Sequence, residues 1–579
     1  MRSVLRAAGA FCAYLVAVAW LTWPLAARIA SDLPDAHGAC RFDLPAIAWI
    51  LASESRNLVA RPTHLFAGTA FHPEPSPIAY GPLALGALPL FAPPFLATGN
   101  PALAANALFL VGVALTAASF HLVARAWTGS HLAGLTAAWA FLTDRWVLWE
   151  FVPTAPFYGV LVWLPWIVYL AAAPRPRARW IVGLAVLVAL QGLSDQVYVA
   201  PAVLAPLAVL AAVRLARAPT RQSGAALAAA LAIAIALLAP FYAPYLRLRT
   251  ENPELAQQTV WRGGEAAVPL ARALWGYQSP ASLAPIALVV AAVGGFLRLA
   301  RGRAAATPAS AWAACCAFAL VGAVAALPRA VAIAGLTLEP PWYAWLPTLR
   351  HLRGTERLAI AALGGLALAA GLGFAEIARA VARLADTAKA APARPGASRG
   401  PARGAIARAV LAAAIALLAH REYQRGFGRP AFERRPLPDA YPTQPALRAD
   451  DPIVEALRAG SGPLLELPLG PFDVLPPFHA RAMYRSIFHG RPLLNGYNSY
   501  FPAGFRERMA LASRLPDAEA LAELRRTTGL SQVLVQTAEI ADPERRAAWL
   551  ELARGPRADL ALVARDGDTL LFALRPPAS

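Results

Sequence analysis

Apolar runs separated by short arginine-bearing tracts fill most of the first 420 positions of the chain. About 20 apolar residues cross a bilayer, and basic residues gather in cytoplasmic loops, so the runs can be placed and oriented together. The opening run, MRSVLRAAGAFCAYLVAVAWLTWPLAARIA, begins basic, carries bulky Trp20 and Trp23 and is followed by further runs. It reads as an uncleaved signal anchor with a cytoplasmic start. Pro82–Leu96 is interrupted by Pro89, Pro93 and Pro94. Counting it as a span would turn Arg125 and the later basic tracts outward, so a re-entrant or interfacial segment is expected. Leu103–Ala124, Leu132–Thr143, Phe157–Ala172, Ile181–Leu193, Tyr198–Val213, Ala225–Tyr245, Leu283–Leu297, Ala309–Leu327, Leu358–Ile377 and Ala405–Leu418 then alternate inward and outward in step with the arginines. That makes about eleven crossings, with the N-terminus inside and the C-terminus outside.

Two stretches break this pattern. Asp32–Tyr80, within a first outer loop of residues 30–100, is a long polar excursion rich in Asp, His and Pro, with an amphipathic helical stripe after Asp43 (Leu44, Ile47, Leu51). Loops beyond about 12–15 residues tend to be functional or disordered. Beyond His420 the periodicity becomes mixed. PLLELPL (Pro463–Leu469), QVLVQ (Gln532–Gln536) and Asp559–Leu574 read as strands, the last folded at Asp566-Gly567-Asp568 into a hairpin. Asp451–Ala459, Phe505–Ser513 and Asp517–Thr527 read as helices. The expected organisation is a transmembrane helical domain over 1–420, with a cytoplasmic Ala/Pro/Gly/Arg-rich linker at 384–404, and an extracytoplasmic α/β domain over 421–579. The fold class is mainly α, a polytopic helical bundle.

Composition agrees with a membrane protein. Hydrophobic residues make up 58% of the chain, charged residues 15%, and mean hydropathy is +0.47, whereas a soluble domain carries about 25% charged residues. The net charge of +19 rests almost wholly on arginine, with Lys389 the one lysine. Because the arginines lie in loops between spans, anionic headgroups are the expected partner, and no nucleic acid is implied. The Ala, Arg and Pro bias suggests a bacterial source, and so a bacterial cytoplasmic membrane. Four cysteines form neither a disulfide spacing nor a metal-ligand pattern.

The order of parts resembles the GT-C superfamily of integral-membrane glycosyltransferases, which use polyprenyl-phosphate-linked sugars. The carrying residues are Phe42–Trp49 (FDLPAIAW), Leu65–Pro75 (LFAGTAFHPEP) and Gly99–Leu110 (GNPALAANALFL), with ELPLG (Glu466–Gly470) and NGYNSYFP (Asn495–Pro502) near the C-terminus. The resemblance implies a GT-C-like fold and transfer of a sugar from a polyprenyl-phosphate donor to a glycan, lipid or protein acceptor of the envelope, on the outer membrane face. It places a catalytic carboxylate early in the first outer loop, at Asp43, to take the proton from an acceptor hydroxyl. Asp43 is equally well placed to cap the helix that follows. Asp144 matches a second acidic position, with an ion pair to Arg145 as the alternative. Together Asp43 and Asp144 would suit a divalent cation, Mg or Mn, since such ions prefer carboxylate oxygen; the resemblance implies either case, since some GT-C enzymes use such an ion and others do not.

Other candidates come from the residues themselves. Arg350, Arg353 and Arg357 lie on the outer side against the charge rule, and arginine forks match phosphate oxygens. Trp345 beside them suits sugar stacking or an interface, and headgroup anchoring is the competing reading. His72 reads as a structural loop residue that also stands near enough to touch substrate, and Tyr80, at the end of the same loop, joins it as a candidate contact. Asp32 and Asp35 read as solvated turn residues. Asp195, at a span end, is either functional or a cap for the next helix. The alternative to a transferase is a non-catalytic GT-C-like protein of envelope assembly or glycolipid binding. A secondary carrier would need repeats and mid-span charges, and neither is evident.

Overall fold

The computed structural model describes residues 2–173, 177–256, 267–275, 279–280, 285–345, 352, 354–387, 402–426, 435–470, 477–555 and 557–575. In chain order the first helix is α1 (Arg2–Leu21), followed by strand β1 (Asp32–Pro34), α2 (Asp43–Ala60), α3 (Leu88–Thr98), α4 (Pro101–Thr128), α5 (His131–Leu142), α6 (Leu164–Ala171), α7 (Ala178–Gly192), α8 (Val199–Leu215) and α9 (Arg221–Glu251). A small sheet of β2 (Val268–Pro269), β3 (Val331–Ile333) and β4 (Leu336–Leu338) accompanies α10 (Leu270–Trp275), α11 (Pro285–Arg301), α12 (Ala309–Ala325), α13 (Trp342–Trp345), α14 (Ile360–Thr387) and α15 (Ala402–Arg425). The C-terminal part comprises β5 (Thr443–Pro445), α16 (Pro452–Ala459), β6 (Leu464–Leu467), α17 (Pro477–His489), α18 (Phe505–Ala512), α19 (Ala518–Thr528), β7 (Gln532–Gln536), α20 (Pro543–Arg554), β8 (Leu560–Asp566) and β9 (Thr569–Leu574).

The chain forms two compact units that are not contiguous in sequence. One comprises Met1–Pro24, Phe109–Phe241 and Gly263–Tyr441, the other Leu25–Leu108, Tyr242–Arg262 and Pro442–Ser579. This differs from the expected division near residue 420, because the first outer loop folds with the C-terminal part.

The first unit is the helical one. Four helices of the described chain, Pro101–Thr128, Ala218–Glu251, Thr355–Leu384 and Gly404–Arg425, are long and apolar enough to cross a membrane, and shorter apolar helices accompany them. The centre of the unit is α14, which packs against α5, α6, α8, α11, α12 and α15. Small residues allow that packing: a Cβ on Gly294 of α11 would stand 2.0 Å from the Gly373 Cα of α14, so the two backbones touch.

The apolar run at 157–172, expected as one span, is helical only over Leu164–Ala171, 8 residues, or roughly 12 Å of helix. Pro156, Gly159 and Pro165 interrupt it, and its irregular backbone is satisfied by neighbours instead. Thr116 Oγ1 donates to the Gly159 carbonyl at 2.8 Å and accepts from the Leu161 N–H at 3.0 Å. Gln191 donates to the Val160 carbonyl at 2.9 Å and accepts from the Trp163 N–H at 3.2 Å. Non-helical backbone in an apolar setting persists where protein polar groups pair it.

Two polar clusters lie along α14 and the turn before it. Before the start of α14, Arg357 lies over the rings of Phe151 and Tyr198. Further along, buried Glu376 accepts from the Thr307 N–H at 2.9 Å, the Thr307 hydroxyl at 2.6 Å and Arg301 at 3.3 Å. Roughly 28 Å of helix separates Arg357 from Glu376, close to the ~30 Å of a bilayer core. The arginine alternation assigns the members of each cluster to one side.

In the second unit, β6-β7-β9-β8 form a four-stranded sheet, with β6 parallel to β7 and the β8–β9 hairpin antiparallel. The first outer loop is sewn to it by backbone. β1 pairs antiparallel with β5, Asp32 opposite Pro445, so Asp32 is a strand residue rather than a solvated turn residue, bonded by Thr443 at 2.8 Å and Ser31 at 2.9 Å. The Phe71 and His72 N–H groups donate to the Asn495 and Leu493 carbonyls at 3.0 and 2.9 Å, and the Leu493 N–H donates to Thr69 at 2.7 Å. Both α3 and α17 pack on α2, which buries Leu44–Ala52 completely, a wider face than the expected stripe. The proline-rich run at 82–96 yields α3, whose 11 residues span roughly 17 Å, too short to cross a bilayer and in keeping with an interfacial segment.

Candidate functional site

Asp43 opens α2 but does not cap it. Phe42 occupies the cap position, with φ −137° and no side-chain cap bond, and Asp43 lies in the first turn, where its charge favours the positive end of the helix dipole. Its half-buried carboxylate accepts from the Tyr497 hydroxyl at 2.7 Å, and the Phe42 ring meets Tyr497 edge-on, centroids 6.3 Å apart. Tyr497 belongs to the NGYNSYFP phrase, each part of which has a packing reason. The Asn495 side chain accepts from the Glu466 N–H at 2.7 Å and donates to the Glu466 carbonyl at 2.9 Å, fixing the phrase to β6. Gly496 must lack a side chain, because a Cβ there would stand 2.3 Å from the Phe71 ring. Asn498 donates to the Pro77 carbonyl at 3.3 Å, and the Tyr500 N–H donates to the Tyr80 carbonyl at 3.1 Å. ELPLG has its own anchor: Glu466 pairs with Arg485 in the interior.

His72 and Tyr80 are structural in this unit. His72 Nε2 donates to the Thr528 carbonyl at 3.1 Å, and burial pushes its imidazole below the usual value. Tyr80 is buried, donates to Glu74 at 3.3 Å, and its phenol is pushed up by burial and by the carboxylates Glu74, Glu254 and Glu251. Arg249 donates to the Tyr500 hydroxyl at 3.1 Å and lies over that ring. One buried acid was missed by the sequence reading. Glu54 of α2 is fully buried, neither oxygen has a well-formed hydrogen bond among the described residues, and burial pushes its carboxyl up to about 8, with the Ala84 N–H pulling the other way.

In the helical unit Asp144 is buried and accepts the Trp146 N–H at 3.0 Å, starting a short π-helical turn over Trp146–Glu150. Arg145 donates to the Tyr423 and Gln424 carbonyls at 2.8 and 2.9 Å, at the end of α15, where a cation suits the helix dipole. Asp43 and Asp144 belong to different units. Among the described residues no three His, Cys, Asp or Glu side chains converge as a metal-holding group.

Arg357 has the more developed surroundings. Its guanidinium carbon lies 4.2 Å from the Phe151 ring centroid and 4.9 Å from that of Tyr198. Asp195 faces it and is 1% exposed. One Asp195 oxygen accepts from the N–H groups of Val197 and Tyr198, entering α8, and the other accepts from the Tyr158 hydroxyl. Asp195 therefore serves as a cap for α8; burial pushes its carboxyl up while Tyr158, the two N–H groups and Arg357 pull it down. Tyr158 was not singled out from sequence; a tyrosine between Pro156 and Gly159 at the lip of an apolar run is the signal that would have found it. Arg350 and Arg353 lie outside the described residues, and Trp345 is described only as part of α13. A cavity of about 390 Å³ lined by Leu521, Arg525, Arg526 and Arg575 contains none of the expected site residues.

No family model matches the sequence, and no curated protein matches it. Among solved structures, the chain is similar to the arabinofuranosyltransferase AftD from Mycobacteria, with a TM-score of 0.55 and 16% identity over 98% of this chain. The match covers 40% of that chain, so the present chain spans about two fifths of its length. The likeness is one of fold.

Proposed function

We propose that the protein is a membrane glycosyltransferase that moves a sugar from a polyprenyl-phosphate-linked donor to an envelope glycan, lipid or protein acceptor at the outer face of a bacterial cytoplasmic membrane. The observation that carries this reading is the Asp43 carboxylate. It is held on the first turn of α2 by Tyr497, in a chain whose fold is similar to that of an arabinofuranosyltransferase. In this role Asp43 accepts the proton of the acceptor hydroxyl as that oxygen attacks the anomeric carbon and the lipid phosphate departs. The Tyr497 hydroxyl orients the carboxylate.

Arg357, with Arg350 and Arg353 of the same segment, binds the donor phosphate, since a guanidinium fork matches phosphate oxygens and carries its charge at any working pH. Phe151 and Tyr198 fix its plane from two sides. Trp345 supplies a stacking face for sugar. Asp144 is the second acidic group of the proposed machinery. His72 and Tyr80 support the loop that carries Asp43. The test is transfer of radiolabel from a polyprenyl-phosphate sugar to membrane acceptors by the purified full chain in lipid vesicles. Labelled product supports the reading; intact donor after prolonged incubation, with the donor bound, favours the non-catalytic glycolipid-binding alternative.

A further inference from the structure

We propose that the cavity at the open end of the β8–β9 hairpin binds the anionic group of an acidic saccharide, a phosphorylated or carboxylated sugar. The site is separate from Asp43 and Arg357 and does not depend on the transfer reaction. The cavity measures about 390 Å³ and lies within the second unit. Leu521, Ala522, Arg525 and Arg526 of α19 form one wall, and Leu574 and Arg575 at the end of β9 face them, with Asp559 beside. The sheet register sets this meeting point. Leu560 stands opposite Leu574, and one step further out the Arg575 N–H donates to the Asp559 carbonyl at 2.9 Å. The last turn of α19 reaches the same edge, where Arg525 Nη1 donates to the Arg575 carbonyl.

Pairing within the lining leaves positive charge over. Arg526 is matched by Glu523, from Nε at 2.9 Å and Nη2 at 2.6 Å. Asp559 is matched by Arg557, which does not line the cavity, through Nε at 2.5 Å and Nη2 at 2.9 Å. The carboxylate nearest Arg575 along the hairpin is therefore already taken. Arg525 gives one N–H to a neutral carbonyl. Among the described residues no carboxylate pairs with the Arg525 or Arg575 guanidinium. The Arg525–Arg575 bond thus gathers two like charges at one opening, and an anion shared between them relieves their repulsion.

The rest of the lining says what carries the anion. A phosphate monoester bears about −1.5 to −2 charges at pH 7 and answers both guanidinium groups; a carboxylate answers one fork. Leu521, Ala522 and Leu574 offer an apolar wall to the C–H face of a sugar ring. The Asp559 oxygens keep lone pairs for a ligand hydroxyl, since a carboxylate accepts at about four positions. No aromatic side chain lines the cavity, so a nucleotide base finds no ring to stack on. The volume is at the small end of the roughly 300–1,000 Å³ of ligand sites, which suits one sugar residue rather than a chain.

The experiment is calorimetric titration of the full chain in phosphatidylcholine nanodiscs, whose lipid carries no net charge, at pH 7. The probes are glucose 6-phosphate, glucuronate, glucose and inorganic phosphate. Glucose 6-phosphate is expected to bind saturably, glucuronate more weakly and glucose not measurably. Arg525→Gln and Arg575→Gln should each weaken glucose 6-phosphate by about tenfold, the effect of one charged hydrogen bond. Arg525→Lys keeps the charge and a donor for the Arg575 carbonyl, and should lose less than Arg525→Gln. Ala522→Trp fills the space from an exposed helix position while keeping every charge, and should abolish binding. Arg554→Gln removes the same charge from exposed α20, outside the lining, and should bind like wild type. Absence of saturable binding by either acidic sugar overturns the proposal. Wild-type binding by Ala522→Trp, or equal losses in Arg554→Gln and Arg575→Gln, also overturns it in favour of diffuse surface charge. Inorganic phosphate or glucose binding as tightly as glucose 6-phosphate overturns the acidic-saccharide assignment.

Discussion

The Tyr497 hydroxyl donates to Asp43 across 2.7 Å, joining residues 454 positions apart in the chain. In the proposed role of Asp43 that bond gives the NGYNSYFP phrase a purpose, because it orients the carboxylate. A hydrogen bond to a charged group contributes about 1.5–3 kcal/mol. Tyr497→Phe removes a donor that favours the ionised carboxylate, so the acid limb of the transfer rate profile should move to higher pH. Below the displaced limb the rate should fall by about tenfold or more, with donor affinity unchanged. A pH–rate series on both proteins checks this, and superimposable profiles would separate Tyr497 from the reaction.

Glu54 makes the second unit sensitive to alkali. Its ordinary value is 4.5 and its folded value about 8, so the folded state holds the proton more tightly than the unfolded chain does. The stabilisation is complete below pH 4.5, declines as pH rises between those values, and is gone above about 8. Glu54→Gln keeps the shape without the charge. Thermal unfolding of this variant should lack the decline and exceed wild type at pH 8; parallel curves would place the Glu54 carboxyl in water.

Much of the fold was legible, and what was missed has physical causes. The β8–β9 hairpin was readable because Asp566-Gly567 is a turn signal between alternating residues, and Gly567 has φ +53° as such a turn needs. α17 was missed although Ala480, Met483, Tyr484 and Ile487 repeat at helical spacing and are all buried, since its interleaved His and Arg residues lower the hydropathy. The run at 157–172 was misread because hydropathy measures apolarity and not backbone state. That the first outer loop folds with the C-terminal sheet left no trace in composition, because backbone bonds such as Phe71 to Asn495 do not depend on residue type. Asp43, Asp195 and Arg357 could each be picked out by position. Their partners, Tyr497 for the first and Tyr158 with the aromatic pair for the others, are long-range contacts that a single sequence does not encode locally.

Packing around the same phrase yields a stability prediction. A Cβ at Gly496 would stand 2.3 Å from Cδ1 of Phe71, and the Phe71 ring is itself wedged among Phe501, Phe505 and Tyr80. Gly496→Ala should therefore cost about 1–3 kcal/mol. Chemical denaturation followed at the second unit checks this, and an unchanged midpoint would mean that the ring relaxes freely.

The arginine pattern predicts sidedness. In a cysteine-free background, Ser499→Cys should react with an impermeant thiol reagent on intact cells, and Ala304→Cys, beside Arg301, only after permeabilisation. The reverse labelling would invert the topology while preserving the two clusters along α14.

The account depends most on Asp43 as the proton acceptor. The measurement that tests it directly is the initial rate of sugar transfer from a radiolabelled polyprenyl-phosphate donor by wild type and Asp43→Asn, at equal protein and equal bound donor. A positioned general base contributes about 10²–10⁴-fold, so the variant should retain donor binding and lose transfer by that factor. Equal turnover by the two proteins would contradict the account.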